Sequence, residues 1–144
     1  MGGNAGVIST AEDMAKYLIL STHGGRFDDT QLLTPDSMAL MHKPPPQLKS
    51  SYAMGWFVAT ENGKKILQHN GILSVFYTDA AVLPSEKYGI ALLYNISALP
   101  LIAFALPQIK SGLIQLLTEG TLPPDGFNIN LWGISLAILT AIGM

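Results

Sequence analysis

Of the side chains that move protons near neutral pH, this sequence holds three histidines, His23, His42 and His69. His23 falls at the end of a helical segment, where a partly positive imidazole complements the helix C-terminus. His42 ends a second such segment and takes the same capping role. No two histidines stand at metal-ligand spacing, so no metal site is expected. Glu12 and Asp13 share a first helical turn, the place for macrodipole partners rather than an acid/base couple. Ser9 and Thr10 read as caps, and no Gly-x-Ser-x-Gly elbow surrounds them. That leaves His69, within the stretch QHNGILSV from Gln68 to Val75. Asn70-Gly71 between apolar, strand-like residues is the dipeptide of a tight hairpin turn, because both residues tolerate positive φ. In an extended strand the same residues would turn a histidine toward a cleft, with a glycine leaving room for substrate beside the backbone. The residues alone leave both readings open.

Composition narrows the choice. A chain of 144 residues suffices for one domain with a genuine core. Apolar residues make up 49%, charged residues only 12%, and the formal net charge is −2. Nucleic acid, which calls for a basic patch or stripe, is not an expected partner. There is no cysteine, which excludes a disulfide framework and a cysteine-ligated metal site. Met1-Gly2-Gly3-Asn4 carries neither a basic nor a long apolar stretch, so it does not read as a signal peptide. The abrupt start and finish read as those of a piece of something longer.

The elements that must position His69 are well punctuated. Ser9-Thr10-Ala11-Glu12 fits a capping box, with Ser9 accepting backbone N–H groups and Glu12 reaching back. Met14, Tyr17, Leu18 and Ser21 follow at helical spacing, and Gly24-Gly25 stops the helix. Thr34-Pro35 starts a shorter helix through Met38 and Met41, which Lys43-Pro44-Pro45-Pro46 ends. Tyr52 to Thr60 reads as a strand, Glu61-Asn62-Gly63 as a hairpin turn and Lys64 to Gln68 as the returning strand. Phe76 to Leu83 and Tyr88 to Tyr94 are two more strands around a turn at Pro84 to Lys87. The short connections imply an antiparallel meander. Leu99 to Thr118 is helical, with Pro100 and Pro107 at its first turn or at a kink. Burial of Leu101, Phe104, Ile109 and Leu113 against the sheet would complete an α/β fold of α+β type. Its antiparallel sheet of about four strands would then be backed by helices.

Two apolar runs bear on membranes. Tyr88 to Ile109 lacks charge but is broken by Asn95, Ser97 and two prolines, and reads as a buried strand plus a core helix. Leu131 to Met144 is also charge-free, with Trp132 near its start and Phe127 to Asn130 as an interfacial lead-in. It is shorter than the ~20 residues of a full span, and reads as the start of a transmembrane helix or as a buried terminal helix. The expected organisation is a domain at 1–120, a linker at 121–130 and the start of a membrane helix at 131–144.

The order of segments adds a resemblance. NAGVISTAEDMAKYL, LLTPDSMALMHKPP, SYAMGWFV and HNGILSVFYTDAAVLPSEKYGIALLYN together resemble the C-terminal half of the serine β-lactamase family. That family groups class C-type β-lactamases, penicillin-binding proteins and related esterases. The likeness reaches to about Gly120 and is most specific at Ala5 to Tyr17, Tyr52 to Val58 and His69 to Asn95. In such proteins a Lys-Thr-Gly or His-x-Gly triplet lies on the strand bordering the active site, and His69-Asn70-Gly71 falls in its place. The resemblance therefore implies strand rather than tight turn. It also implies roles: His69 faces the substrate with a hydrogen bond or positive charge, and Asn70 stands where a threonine often binds a substrate carboxylate. Gly71 keeps that edge clear, and the Ile72 backbone N–H is the second oxyanion-hole donor. Asn70 departs from the commoner threonine or glycine, and Ser74-Val75 from a usual Pro-Gly pair.

The family's nucleophile lies in a Ser-x-x-Lys motif, assisted by a Tyr-x-Asn-type tyrosine, and neither pattern occurs here. An acyl-enzyme cannot form on this chain alone. The resemblance thus implies a C-terminal fragment of a serine hydrolase acting on β-lactams, peptidoglycan stem peptides or esters, with no cofactor. It would sit in the bacterial cell membrane through its C-terminal helix, with the domain extracytoplasmic. The alternative is a non-catalytic module of the same ancestry that binds cell-wall peptides or another membrane protein.

Overall fold

The computed structural model describes residues 6–61, 63–96, 98–99 and 101–122. Helix α1 (Ala11–Thr22) begins one residue later than the sequence pattern suggests. Its cap is Thr10, whose side chain accepts the Asp13 N–H at 3.1 Å. Ser9 instead donates its hydroxyl to the Thr10 carbonyl. The capping logic holds but shifts by one register, because Thr10 takes the extended conformation that a cap needs. His23 is the C-cap residue, its backbone N–H bonding to the Ile19 carbonyl. A small hairpin of β1 (Arg26–Phe27) and β2 (Thr30–Gln31) follows, which no sequence signal announced. Helix α2 (Pro35–Met41) starts as expected, with Thr34 capping the Ser37 N–H and proline in the first turn.

The sheet is a four-stranded meander in the order β3-β4-β5-β6. Strand β3 covers Phe57–Glu61, β4 Lys64–Leu73, β5 Phe76–Leu83 and β6 Tyr88–Tyr94. Two boundaries differ from expectation. The first strand starts at Phe57 and not at Tyr52, since a tight turn closed by Ala53 N–H to the Trp56 carbonyl at 2.7 Å intervenes. Tyr52 keeps only an isolated antiparallel bridge to Phe57. The second strand runs on past Gln68 to Leu73, so Asn70-Gly71 is extended and the chain reverses at Ser74-Val75. Ser74 takes a left-handed φ of 51° there. Phe57 pairs with Gln68 and Glu61 with Lys64, which puts the first hairpin turn where the Asn-Gly pair predicted it.

The described residues form two compact units. In the first, 6–71 with 78–93, the helices back the sheet. Leu18 of α1 packs with Trp56, Leu67 and Val82, and Val58, Ala80 and Ala91 close around them. Helix and sheet approach so closely that a Cβ on Gly89 would lie 2.7 Å from the Leu18 Cβ. The Tyr17 and Trp56 rings stack at 6.2 Å beside this core. The end of α2 is tied to β4 by the Lys65 ammonium, which donates to the His42 carbonyl at 2.8 Å.

The second unit holds, among the described residues, 72–77 and those from 94 to 122. A π-helical turn, Leu101–Ala105, leads into α3 (Leu106–Glu119), with Pro107 in its first turn. Its buried positions are Ala105, Leu106, Gly112 and Ile114, while Phe104, expected inside, is 47% exposed. A π turn inserts an extra residue per turn and rotates the apolar face, so a face projected at uniform 3.6-residue spacing misses. Leu101–Glu119 is 19 residues long and, by length and composition alone, apolar enough to cross a membrane, a test that the core helix of a soluble protein also passes. The expected linker beyond Leu122 and the segment Leu131 to Met144 lie outside the described residues.

Candidate active site

Strand β4 is inner to the sheet along its first half only. Strand β3 reaches no further than Phe57, opposite Gln68, so from His69 onward the β3 side of β4 has no strand beside it among the described residues. Which backbone groups face that side follows from the hydrogen bonds of β3. The Val58 N–H donates outward to the Ser51 carbonyl at 2.8 Å, so Phe57 and Gln68 form a hydrogen-bonded pair and Val58 and Leu67 do not. Alternation along β4 then turns the N–H and C=O of Asn70 to the open side, and the same period carries to Ile72. A backbone N–H at an open edge is the type of donor that stabilises charge developing on an attacked carbonyl oxygen.

His69 and Asn70 are both exposed. The His69 ring is held on two sides. Its Nε2 lies 3.1 Å from the Tyr52 hydroxyl, the Tyr52 ring meets it edge-on at 5.8 Å and the Phe57 ring stacks on it at 5.7 Å. Gly71 is half-buried, and a Cβ there would come within 2.8 Å of the Thr78 Oγ1. A glycine here lets β4 and β5 close up and keeps side-chain bulk off the edge. Ile72 continues the strand, 54% exposed.

The four sequence candidates, His69, Asn70, Gly71 and Ile72, therefore stand consecutively on one strand. Sequence reasoning missed Tyr52 and Thr78. Tyr52 stands far from His69 along the chain, and only the Phe57–Gln68 register and the turn before it bring the two rings together.

The other two histidines lie elsewhere. His23 accepts its capping place, with Nδ1 3.0 Å from the Ile19 carbonyl oxygen. His42 is the C-cap of α2 but is 5% exposed, and its Nε2 is buried with no hydrogen-bond partner among the described residues. Burial, and then the charge of Lys65, hold its imidazole below the ordinary value. That favours the neutral ring, where a partly positive cap was expected, because desolvation acts against the charged form. Among the described residues no group of three or more acidic or histidine side chains could hold a metal ion.

Helices backing a four-stranded antiparallel sheet, with a His-Asn-Gly segment on the strand beside an open edge, make a partial fold of the serine β-lactamase type. The family comparison agrees: the model of the Beta-lactamase family matches residues 1–109, and the chain belongs to that family. No relative among curated proteins matches the sequence.

Proposed function

We propose that this chain supplies the substrate-facing strand of a serine hydrolase working through an acyl-enzyme. Its substrates are β-lactams, peptides ending in D-Ala-D-Ala, or esters, and its nucleophile comes from outside these 144 residues. The observation that carries this reading is the strand itself. His69 and Asn70 are exposed on β4 where β3 has stopped, and Gly71 leaves the backbone accessible beside them. His69 orients the substrate, Asn70 binds its carboxylate, and the Ile72 N–H stabilises the oxyanion. Membership in the Beta-lactamase family supports hydrolase chemistry in general terms. The membrane reading belongs to the proposal as well: the charge-free run Leu131 to Met144 anchors the domain, which lies on the outer side of a bacterial membrane.

The lack of any Ser-x-x-Lys or Tyr-x-Asn pattern also favours a second reading. In it, the same strand binds cell-wall peptide without cleaving it. One experiment addresses both. The purified chain, exposed to a reporter penicillin or an activated ester, is expected to show no adduct by intact mass, since no activated hydroxyl is present. A stoichiometric adduct on any serine of this chain overturns the need for an external nucleophile. In a longer chain that carries Ser-x-x-Lys upstream, His69→Ala is expected to lower turnover by roughly 10²–10³ with the fold intact. A longer reading frame without that motif selects the binding module.

A further inference from the structure

We infer that Tyr52 is a positioning residue that fixes the tautomer of His69, so that His69 meets its substrate through Nδ1 and not Nε2. The inference rests on the hydrolase reading only for the word substrate; the hold of Tyr52 on the ring stands independently of it. The Tyr52 hydroxyl lies 3.1 Å from His69 Nε2. A phenol is a better donor than acceptor, because its oxygen lone pair is shared with the ring, and an unprotonated imidazole nitrogen is a strong acceptor. The favoured arrangement is therefore O–H donating to Nε2, which leaves the neutral ring's proton on Nδ1. Among the described residues no hydrogen-bond partner contacts His69 Nδ1, which leaves the proton it carries in the neutral ring for another acceptor.

Packing makes this arrangement specific. The Tyr52 and Phe57 rings meet edge to face at 4.6 Å, with His69 stacked on Phe57 and edge-on to Tyr52. Three rings in mutual contact leave the imidazole little freedom to flip and exchange its two nitrogens. Tyr52 is in turn fixed by backbone, through the Ala53–Trp56 and Val58–Ser51 hydrogen bonds on either side of its bridge to Phe57. A neutral N–H offered to a substrate carbonyl or carboxylate does not depend on the ring carrying charge.

The test uses the full chain, labelled with ¹⁵N, and long-range proton–nitrogen correlation of its three imidazoles at pH 8, above the ordinary imidazole range. His69→Gln assigns the signals. The expected result is a protonated Nδ1 and an unprotonated Nε2 for His69. In Tyr52→Phe, which keeps the ring packing, the tautomer ratio should move about fivefold toward Nε2–H, the shift set by one net hydrogen bond. In Phe57→Leu, which loosens the packing but keeps the hydroxyl, Nδ1–H should remain the major form. An Nε2–H signal in the unaltered chain overturns the inference, whatever the variants do. So does an unchanged ratio in Tyr52→Phe. Acetylated D-alanyl-D-alanine is then added to the unaltered chain. Movement of the Nδ1–H signal supports Nδ1 as the contacting atom. A fixed tautomer that the dipeptide leaves unmoved keeps the hold of Tyr52 and overturns contact through Nδ1.

Discussion

His42 and His69 are the same side chain in opposite circumstances. One is sealed between α2 and β4 with a lone ring nitrogen, the other exposed on β4 among aromatic rings. For His42 the consequence is a pH-dependent stability of definite sign. Its imidazole sits below the ordinary value of 6.5 in the folded chain because burial, and then Lys65, disfavour the charged form. The unfolded chain therefore binds the extra proton more readily, and stability rises with pH. The contribution is complete above the ordinary imidazole value and is lost as pH falls through the lower, folded one. The urea midpoint should drop between about pH 8 and about pH 5.5, and His42→Leu should remove most of that slope. An unaltered slope in the variant would assign the effect to other groups. The position of His42 at a helix end was legible in the sequence. Its burial was not, because nothing local announces the approach of Lys65 from a distant strand.

Among the elements, α1 is joined to the sheet through Leu18. That side chain is 2% exposed and touches Trp56, Leu67 and Val82. Leu18→Ala should cost about 3 kcal/mol, the usual loss when a buried leucine leaves a cavity. Chemical denaturation followed by Trp56 fluorescence would measure it, and a loss below about 1 kcal/mol would mean the site collapses to fill the gap. The meander was readable in advance because its signals are local: β5 and β6 fall where alternation and turn residues put them. The failures have non-local causes. Asn70-Gly71 carries the local signature of a turn, yet β5 pairs alongside it and the reversal is deferred to Ser74-Val75. Only the segment-by-segment resemblance pointed to strand. The apolar face of α3 was misplaced because a π turn has no reliable composition signature.

At the scale of the whole molecule, two apolar stretches compete to explain any membrane attachment. Leu101–Glu119 qualifies by length and hydropathy, and Leu131 to Met144 by its freedom from charge. The proposed anchor is the second. Vesicle flotation of the full chain should therefore show binding, and Leu136→Asp with Leu139→Asp should abolish it, since each buried carboxylate costs about 3 kcal/mol in a bilayer. Retention of binding in that double variant would move the anchor to Leu101–Glu119. The candidate site shows the same split between legible and hidden. His69 to Ile72 could be named from their order along the chain. The backbone edge beside them depends on where β3 begins, which follows from the turn closed by the Ala53–Trp56 hydrogen bond.

The two outer strands of the sheet are not alike. The outer side of β3 is occupied at its start by the Ser51–Val58 and Ala53–Trp56 hydrogen bonds. Strand β6 has no strand on its outer side among the described residues. Its sequence, Tyr88-Gly89-Ile90-Ala91-Leu92-Leu93-Tyr94, contains neither a charge nor a proline. Natural sheets guard such a border with lysine, proline or a bulge, because bare amides and carbonyls template the addition of another strand. Lys87 stands only at the threshold of β6, outside it. An uncharged border of this kind is the place where a further strand, from elsewhere in a longer chain or from a partner, would add to the sheet.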